Sequence, residues 1–206
     1  MTFYNALEKH LIDFHVVTHK KGETIYRADE APRSLYIIKD GLVGLFHISE
    51  NGKETFLRVF GKTQILGHRS LLAYENYHAN AVCLQDTEFY QISASEFNQL
   101  LEKDNSLLRS ITESLAKDLR VSELRISDLN DKSSYLRVVE SIVYLKNKYP
   151  DQVWTRQEIA EFAVCTNETV TRTLTKLEKM NLIQKQGRDF SLNNTEGLLN
   201  LTNEDF

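Results

Sequence analysis

Residues 96–130 contain neither Gly nor Pro, and within them Leu108, Ile111, Leu115, Leu119, Ser122, Ile126 and Leu129 recur at steps of three and four. Side chains at that spacing share one face of an α-helix. The stretch therefore reads as a single rod with one apolar stripe, which only Ser122 interrupts. A helix from about Asn105 to Leu129 is about 37 Å long at a rise of about 1.5 Å per residue. A small domain does not easily cover a stripe of that length. It lies along its own chain's core or against the matching helix of a second subunit.

Before the rod the period is different. Residues 1–21 read as a short helical lead-in. From Gly22 to about Ile92, short runs such as SLYIIKDG, LVGLFHIS, ETFLRVFG, AVCLQDTEF and YQIS follow one another closely, with Gly22, Gly41, Gly44, Gly52, Gly61 and Gly67 between or within them. Asn51-Gly52 is a hairpin signal, because both residues tolerate positive φ. Leu45, His47 and Ser49 alternate with Phe46 and Ile48, a period of two that predicts a strand with one drier face. The region reads as an antiparallel barrel or double-sheet roll.

After the rod, Asn130-Asp131-Lys132-Ser133 reads as a hinge or cap. A helix over about Ser134 to Lys148 follows and is stopped by Tyr149-Pro150-Asp151. Thr155 with Glu158 is a capping box that starts a short helix at Arg156. Val164-Cys165 makes a tight turn, and Thr166 caps a further helix to about Lys179. Leu182–Lys185 and Phe190–Leu192 read as two short strands around Gly187. Helix, turn, helix and β-hairpin make a winged helix-turn-helix. Residues 195–206 carry no legible pattern.

The chain has 206 residues, a formal net charge of -4 and 41% hydrophobic residues, which fits a folded protein rather than a disordered or uniformly basic one. Cys83 and Cys165 are the only cysteines, so no disulfide framework is expected and a reducing cytoplasm is. Two cysteines cannot complete a four-cysteine iron–sulfur site. His10, His15, His19, His47, His68 and His78 show no spacing that marks a haem or zinc ligand. Neither a cofactor nor a metal is expected. No apolar run is long enough for a signal sequence or a membrane span. An enzyme would have to use Gly67, His68, Arg69 and His78, and these form no nucleophile–base–orienter set.

Positive charge concentrates where a duplex would pass. Within 165–188, Arg172, Lys176, Lys179, Lys185 and Arg188 stand against only Glu168 and Glu178. Glu168 and Arg172 are four apart, so they share one helix face with Thr171 beside them, while Val170 and Leu174 turn about 200° away to anchor the helix. In a major groove, arginine can bond guanine bidentately and a carboxylate can accept from the cytosine amine. Lys176 and the wing tip Gln186-Gly187-Arg188 can reach the backbone. So can the hydroxyls of Thr155, Thr166 and Thr169, and Asn167 sits near the groove entrance. The bland alternative for Glu168 and Arg172 is a solvated i,i+4 salt bridge.

RQEIAEFAVCTNETVTRTLTKLEKMNLI, together with LYIIKDGLVGLFHISENGKE, resembles the cyclic-AMP receptor and fumarate–nitrate-regulator superfamily of bacterial transcription regulators over about residues 20–195. The resemblance implies an α+β chain. Its parts are an N-terminal antiparallel β-roll (a cyclic-nucleotide-binding-like jelly roll, 1–104), a long dimerisation helix (105–130) and a C-terminal winged helix-turn-helix (131–206). It further implies a cytoplasmic homodimer that binds double-stranded DNA at inverted repeats and works with RNA polymerase. In the family, the positions of Glu168 and Arg172 contact bases. Thr171 stands where the oxygen-responsive branch often has a small hydroxyl residue, and Asn167 where the cyclic-AMP branch has arginine, which implies TGA-like half-site cores. Thr155, Gln157, Thr166, Thr169 and Gln186 match positions near phosphates.

The chain departs from the family at the effector. A Gly-Glu pair at the ribose and an Arg-Ser pair at the cyclic phosphate are here Gly67-His68 and His78-Ala79, so binding of cyclic AMP is not expected. Gly67, His68, Arg69, His78, Ala79, Arg120 and Ser122 remain the candidate residues for an unidentified small effector. The competing function is a DNA-free dimeric ligand-sensing or interaction protein.

Overall fold

The computed structural model describes residues 3–7 and 14–205. They fall into two compact units, the first reaching to Val121 and the second beginning at Ser122.

The first unit opens with α1 (Phe3–Leu7) and continues through β1 (His15–His19), β2 (Thr24–Tyr26), β3 (Ser34–Asp40), β4 (Val43–Ile48), β5 (Glu54–Phe60) and β6 (Ile65–Leu66). A short helix α2 (His68–Ala73), β7 (Asn80–Cys83), β8 (Thr87–Ser93) and α3 (Ala94–Lys103) lead into α4 (Asn105–Asp131). Part of the lead-in expected to be helical is strand: β1 pairs antiparallel with β8, His15 opposite Gln91. His10 and the rest of 8–13 lie outside the described residues. All pairing is antiparallel, in two sheets of strand order β1-β8-β3-β6 and β2-β7-β4-β5. This is the double-sheet roll expected from the sequence.

β3 is apolar at successive positions because both of its faces are covered. Tyr36 and Ile38 join Tyr26, Val43, Phe60, Leu66, Tyr77 and Phe89 in one core cluster, while Leu35 and Ile37 pack with Phe3, Leu7, Phe97, Leu107 and Ile111 in another. The hairpin expected at Asn51-Gly52 forms, but of the two residues only Gly52 takes positive φ, at 77, and its N–H donates to the Ser49 carbonyl at 2.8 Å. The alternation expected in β4 does not. Its first three residues are buried and its last two exposed, because the pairing with β5 slips between Leu45 and Phe46 and carries the hairpin out into solvent. α3 escaped the pattern reading although it carries a capping box of its own: Ser93 accepts from the Glu96 N–H at 3.2 Å, and Glu96 accepts from the Ser93 N–H at 2.9 Å.

The apolar stripe of α4 divides. Ile111 is buried in the first unit's core and Leu115 is packed against it, whereas Leu119 and Ile126 are 61% and 62% exposed, and Leu108 and Leu129 are exposed as well.

The second unit contains α5 (Ser134–Lys148), α6 (Arg156–Ala163), α7 (Asn167–Lys179), a hairpin of β9 (Ile183–Gln186) and β10 (Asp189–Leu192), and α8 (Thr195–Leu199). α8 lies in the stretch that had no legible pattern. Asn194 caps it, accepting from the Gly197 N–H at 2.8 Å, and its Leu198 is fully buried. Val139, Ile142, Leu145, Trp154, Ile159, Val170, Leu174, Leu177 and Phe190 form the buried interior. The hairpin is tied to α5 by Lys146, a buried lysine whose ammonium meets the Asp189 carboxylate at 2.5 Å and lies 5.1 Å from the Phe190 ring centre.

The turn between α6 and α7 is strained and held. Val164 closes α6 in the left-handed region at φ 53, a conformation that costs a β-branched residue about 1–2 kcal/mol. Arg137 on α5 donates to the carbonyls of Ala163 at 3.0 Å, Val164 at 3.1 Å and Lys132 at 2.7 Å. The first two are at the C-terminal end of α6, where backbone carbonyls lack helical partners. Arg137→Ala strands all three and is expected to lower stability by roughly 2–3 kcal/mol. Urea unfolding checks this, and a change within experimental error would refute it.

Candidate nucleic-acid interface and barrel cavity

α7 is placed by caps at its start and by apolar residues on its back. Thr166 accepts from the Thr169 N–H at 3.2 Å, and Val170, Leu174 and Leu177 are buried. That leaves Glu168 and Arg172 on the outer face, 70% and 66% exposed and joined at 2.5 Å. The Tyr135 side chain and, after it, Glu168 hold the Arg172 guanidinium above its usual range. The i,i+4 bridge therefore exists, but on the face that a groove would meet, and an exposed pair of this kind is worth only about 0.3–0.5 kcal/mol.

The other expected contacts lie at the starts of α6 and α7, along α7 and at the tip of the hairpin. Asn167 donates to the Gln157 Oε1 at 3.1 Å, and Gln157 donates to Glu161 at 2.6 Å, so the start of α7 is laced to α6. Thr155 accepts from the Glu158 N–H at 3.1 Å and Glu158 from the Thr155 N–H at 2.7 Å, the expected box. Thr155, Gln157, Thr166, Asn167, Lys176, Gln186 and Arg188 are exposed; Thr169 and Thr171 are half-buried. Thr171 bonds back to the Asn167 carbonyl at 3.0 Å, and Thr173 and Thr175 bond back to Thr169 and Thr171. Three of the four threonines of α7 thereby bond to their own helix backbone, which partly occupies their hydroxyls. The wing turns at Gly187, φ 63, and Gln186 donates to the Ser191 Oγ at 3.3 Å. Lys176 donates to the main-chain carbonyl of Asp205, a contact that no local sequence signal announced.

In the first unit a small cavity of about 20 Å³ opens among Tyr26, Leu45, Gly67, His68, Arg69, Tyr77 and His78. Gly67, His68, Arg69 and His78 of the expected effector residues line it; Ala79 is buried in the adjacent core, and Arg120 and Ser122 are exposed on α4. Gly67 stands at φ 84, and a Cβ there would come within 2.7 Å of the Ser34 carbonyl oxygen. The enclosed space suits about one water molecule. Tyr26 and Tyr77, stacked with ring centres 3.7 Å apart, form part of its wall.

The charges also disfavour an anionic guest. His68 is 4% exposed, and neither of its ring nitrogens has a hydrogen-bond partner. Burial, with Arg69 next, pushes its pKa down to about 4. Burial, Arg69 and His47 lower that of His78. Both rings are neutral at pH 7. Arg69 meets Asp118 on α4 at 3.0 Å, and Arg58 pairs with the same carboxylate. Burial works to raise the Asp118 carboxyl, but the two guanidiniums outweigh it and hold it below the usual range. The residues present do not fit the phosphate of a cyclic nucleotide. Among the described residues no group of three or more His, Cys, Asp or Glu is placed to hold a metal ion, and no helix is long and apolar enough to cross a membrane.

The unfolded chain takes up the His68 proton near pH 6.5, the folded protein only near pH 4. Stability therefore falls as pH drops through that window, by up to roughly 3 kcal/mol from this one group. His68→Leu removes the dependence. Urea unfolding of both proteins near neutral pH and near pH 4.5 is expected to show their stability difference widening in favour of the variant as pH falls; a constant difference contradicts the assignment.

Comparison with known proteins gives two family matches: residues 16–104 to the cyclic nucleotide-binding domain, and residues 137–201 to the Crp-like helix-turn-helix domain. The cAMP-activated global transcriptional regulator CRP of Salmonella typhimurium is 28% identical over 193 residues, covering 89% of this chain and 91% of that protein. Its Haemophilus influenzae counterpart is 27% identical over 192 residues, covering 89% and 86%. Among solved structures, FixK2 from Bradyrhizobium japonicum superimposes with a TM-score of 0.81 at 22% identity, covering 92% of this chain and 97% of that one. The c-di-GMP responsive global regulator CLP of Xanthomonas campestris gives 0.77 at 22% identity, covering 91% and 98%. These structural likenesses establish the fold.

Proposed function

We propose, for a chain that belongs to the CRP/FNR family of DNA-binding transcription regulators, that it binds inverted-repeat promoter sites with TGA-like half-site cores as a cytoplasmic homodimer. The family consists of regulators, not enzymes. The observation that carries the finer reading is the outer face of α7, where Glu168 and Arg172 are exposed and already aligned, on a helix whose back is buried. Arg172 reads guanine and Glu168 the cytosine amine. Asn167 and Thr171 flank them. Thr155, Gln157, Thr166, Thr169, Lys176, Gln186 and Arg188 hold the backbone on either side.

Two subunits pair through α4. Leu119, Ile126 and Leu129 share a stripe whose exposure in the single chain supports burial against a second copy. Two-fold symmetry then sets the half-sites about 34–36 Å apart. Bound regulator acts on RNA polymerase. Any effector of the barrel differs from cyclic AMP, the activator named for the Salmonella relative, because the lining arginine, Arg69, is paired with Asp118 and both lining histidines are neutral.

Arg172→Ala is expected to cost about 1–3 kcal/mol on the matched operator and much less on a scrambled duplex. Lys176→Ala weakens both alike and lowers the salt slope by about one unit. Competition binding at several salt concentrations separates them, and equal losses for Arg172→Ala on both duplexes would falsify base reading. Ile126→Glu places a charge on the pairing stripe and is expected to shift sedimentation towards the monomer. An unaltered dimer at micromolar concentration would move the interface elsewhere.

A further inference from the structure

Residues 202–205 lie beyond the matched helix-turn-helix residues, yet they are fastened at two distant places in the second unit. A 3-10 turn, Asn203–Asp205, is closed by the Asp205 carboxylate, which accepts from the Thr202 N–H at 2.6 Å and the Thr202 hydroxyl at 3.0 Å. The Asn203 amide spans the junction of α4 and α5: its Nδ2 donates to the Asp131 carbonyl at 3.1 Å, and its Oδ1 accepts from the Ser133 N–H at 2.9 Å. At the other side, the Asp205 carbonyl accepts from the Lys176 ammonium on α7. The Thr202 bonds, and after them the charge of Lys176, hold the Asp205 carboxyl below its usual range. The segment thus offers Lys176 a carbonyl oxygen and a nearby negative charge, the chemistry that a DNA phosphate would offer. Glu204 adds a second carboxylate to the same strap.

We propose that segment 202–205 is a built-in competitor for DNA. It docks on the recognition helix through Lys176, and this ammonium must leave Asp205 before it can reach a phosphate. Because Asn203 fastens the same short strap to the α4–α5 junction, a rearrangement that breaks the two Asn203 bonds also loosens the hold on Lys176. The proposal rests on the DNA-binding reading above and adds to it a restraint on that surface. The strap engages a backbone-binding residue, so it lowers affinity for all sequences alike and leaves the choice of bases to Arg172 and Glu168.

Asn203→Ala undocks the strap at the junction, and Asp205→Asn removes the carboxylate beside Lys176. Both residues are exposed, and two variants are made so that a loss of folding in one, seen by thermal melting, leaves the other. The probe is a labelled duplex with two TGA half-sites as an inverted repeat, read by fluorescence anisotropy beside a scrambled duplex. Each folded variant is expected to bind both duplexes roughly two- to fivefold more tightly than the parent, the size of one exposed charge contact. The gain disappears when the same changes are made in a Lys176→Gln background. Unchanged or weaker binding overturns the proposal, and so does a gain that persists without Lys176. Failure of parent and variants alike to bind either duplex overturns the DNA-binding reading itself, a result distinct from equal binding by all.

Discussion

The guanidinium of Arg137 is the contact on which the placement of α7 depends. A helix that ends against another helix leaves carbonyls facing a crowded interior, where an unmet acceptor costs about 1–3 kcal/mol. Arg137 meets two of them at the end of α6 and a third at Lys132, from one rigid planar group. Those bonds hold the backbone in a turn that Val164 would not adopt alone. Because the turn is fixed, α7 leaves it in one direction, Thr166 is in place to cap, and Val170, Leu174 and Leu177 meet the interior. The outward angle of Glu168 and Arg172 is thus set by a residue on α5.

Two ion pairs in the same unit show how setting decides meaning. Lys146 is buried beside the half-exposed Asp189, so losing Asp189 would strand an ammonium in a dry place, and the pair acts as a rivet for the wing. Glu168–Arg172 is exposed, and opening it costs a few tenths of a kcal/mol. The pair keeps two flexible side chains aligned at small cost and opens far more readily than Lys146–Asp189.

Much of this was legible in the sequence where the cause is local. α5 to α7 and the wing follow from caps, a proline stop and a glycine turn, which act within a few residues, and Ser133, Thr155 and Thr166 each accept the backbone bond their type and place imply. The exposed face of α7 follows from spacing alone. Features that depend on distant partners were not legible. The slip at Leu45/Phe46 is decided by β5, and it turns an alternating pattern into a half-buried, half-exposed strand. α8 is anchored by a single buried leucine, Leu198, on a surface more than fifty residues earlier in the chain, where nothing periodic could announce it. The strand at His15–His19 is specified by β8 in the same way. α3 is the exception: its cap, Ser93 with Glu96, is a local signal.

The barrel shows the converse, a family architecture kept while its chemistry is replaced. A cyclic-nucleotide phosphate needs fixed positive charge and room. Here two histidines are held neutral, Tyr26 and Tyr77 stack in the cavity wall, and Arg58 and Arg69 are both committed to Asp118. That arrangement has a physical consequence of its own. Two guanidiniums on one half-buried carboxylate tie strand β5 and helix α2 to α4. An anion entering the cavity would have to displace Asp118 from two arginines and find no replacement charge in His68. The barrel is thus braced from within, and its contribution to α4 is present in the free protein.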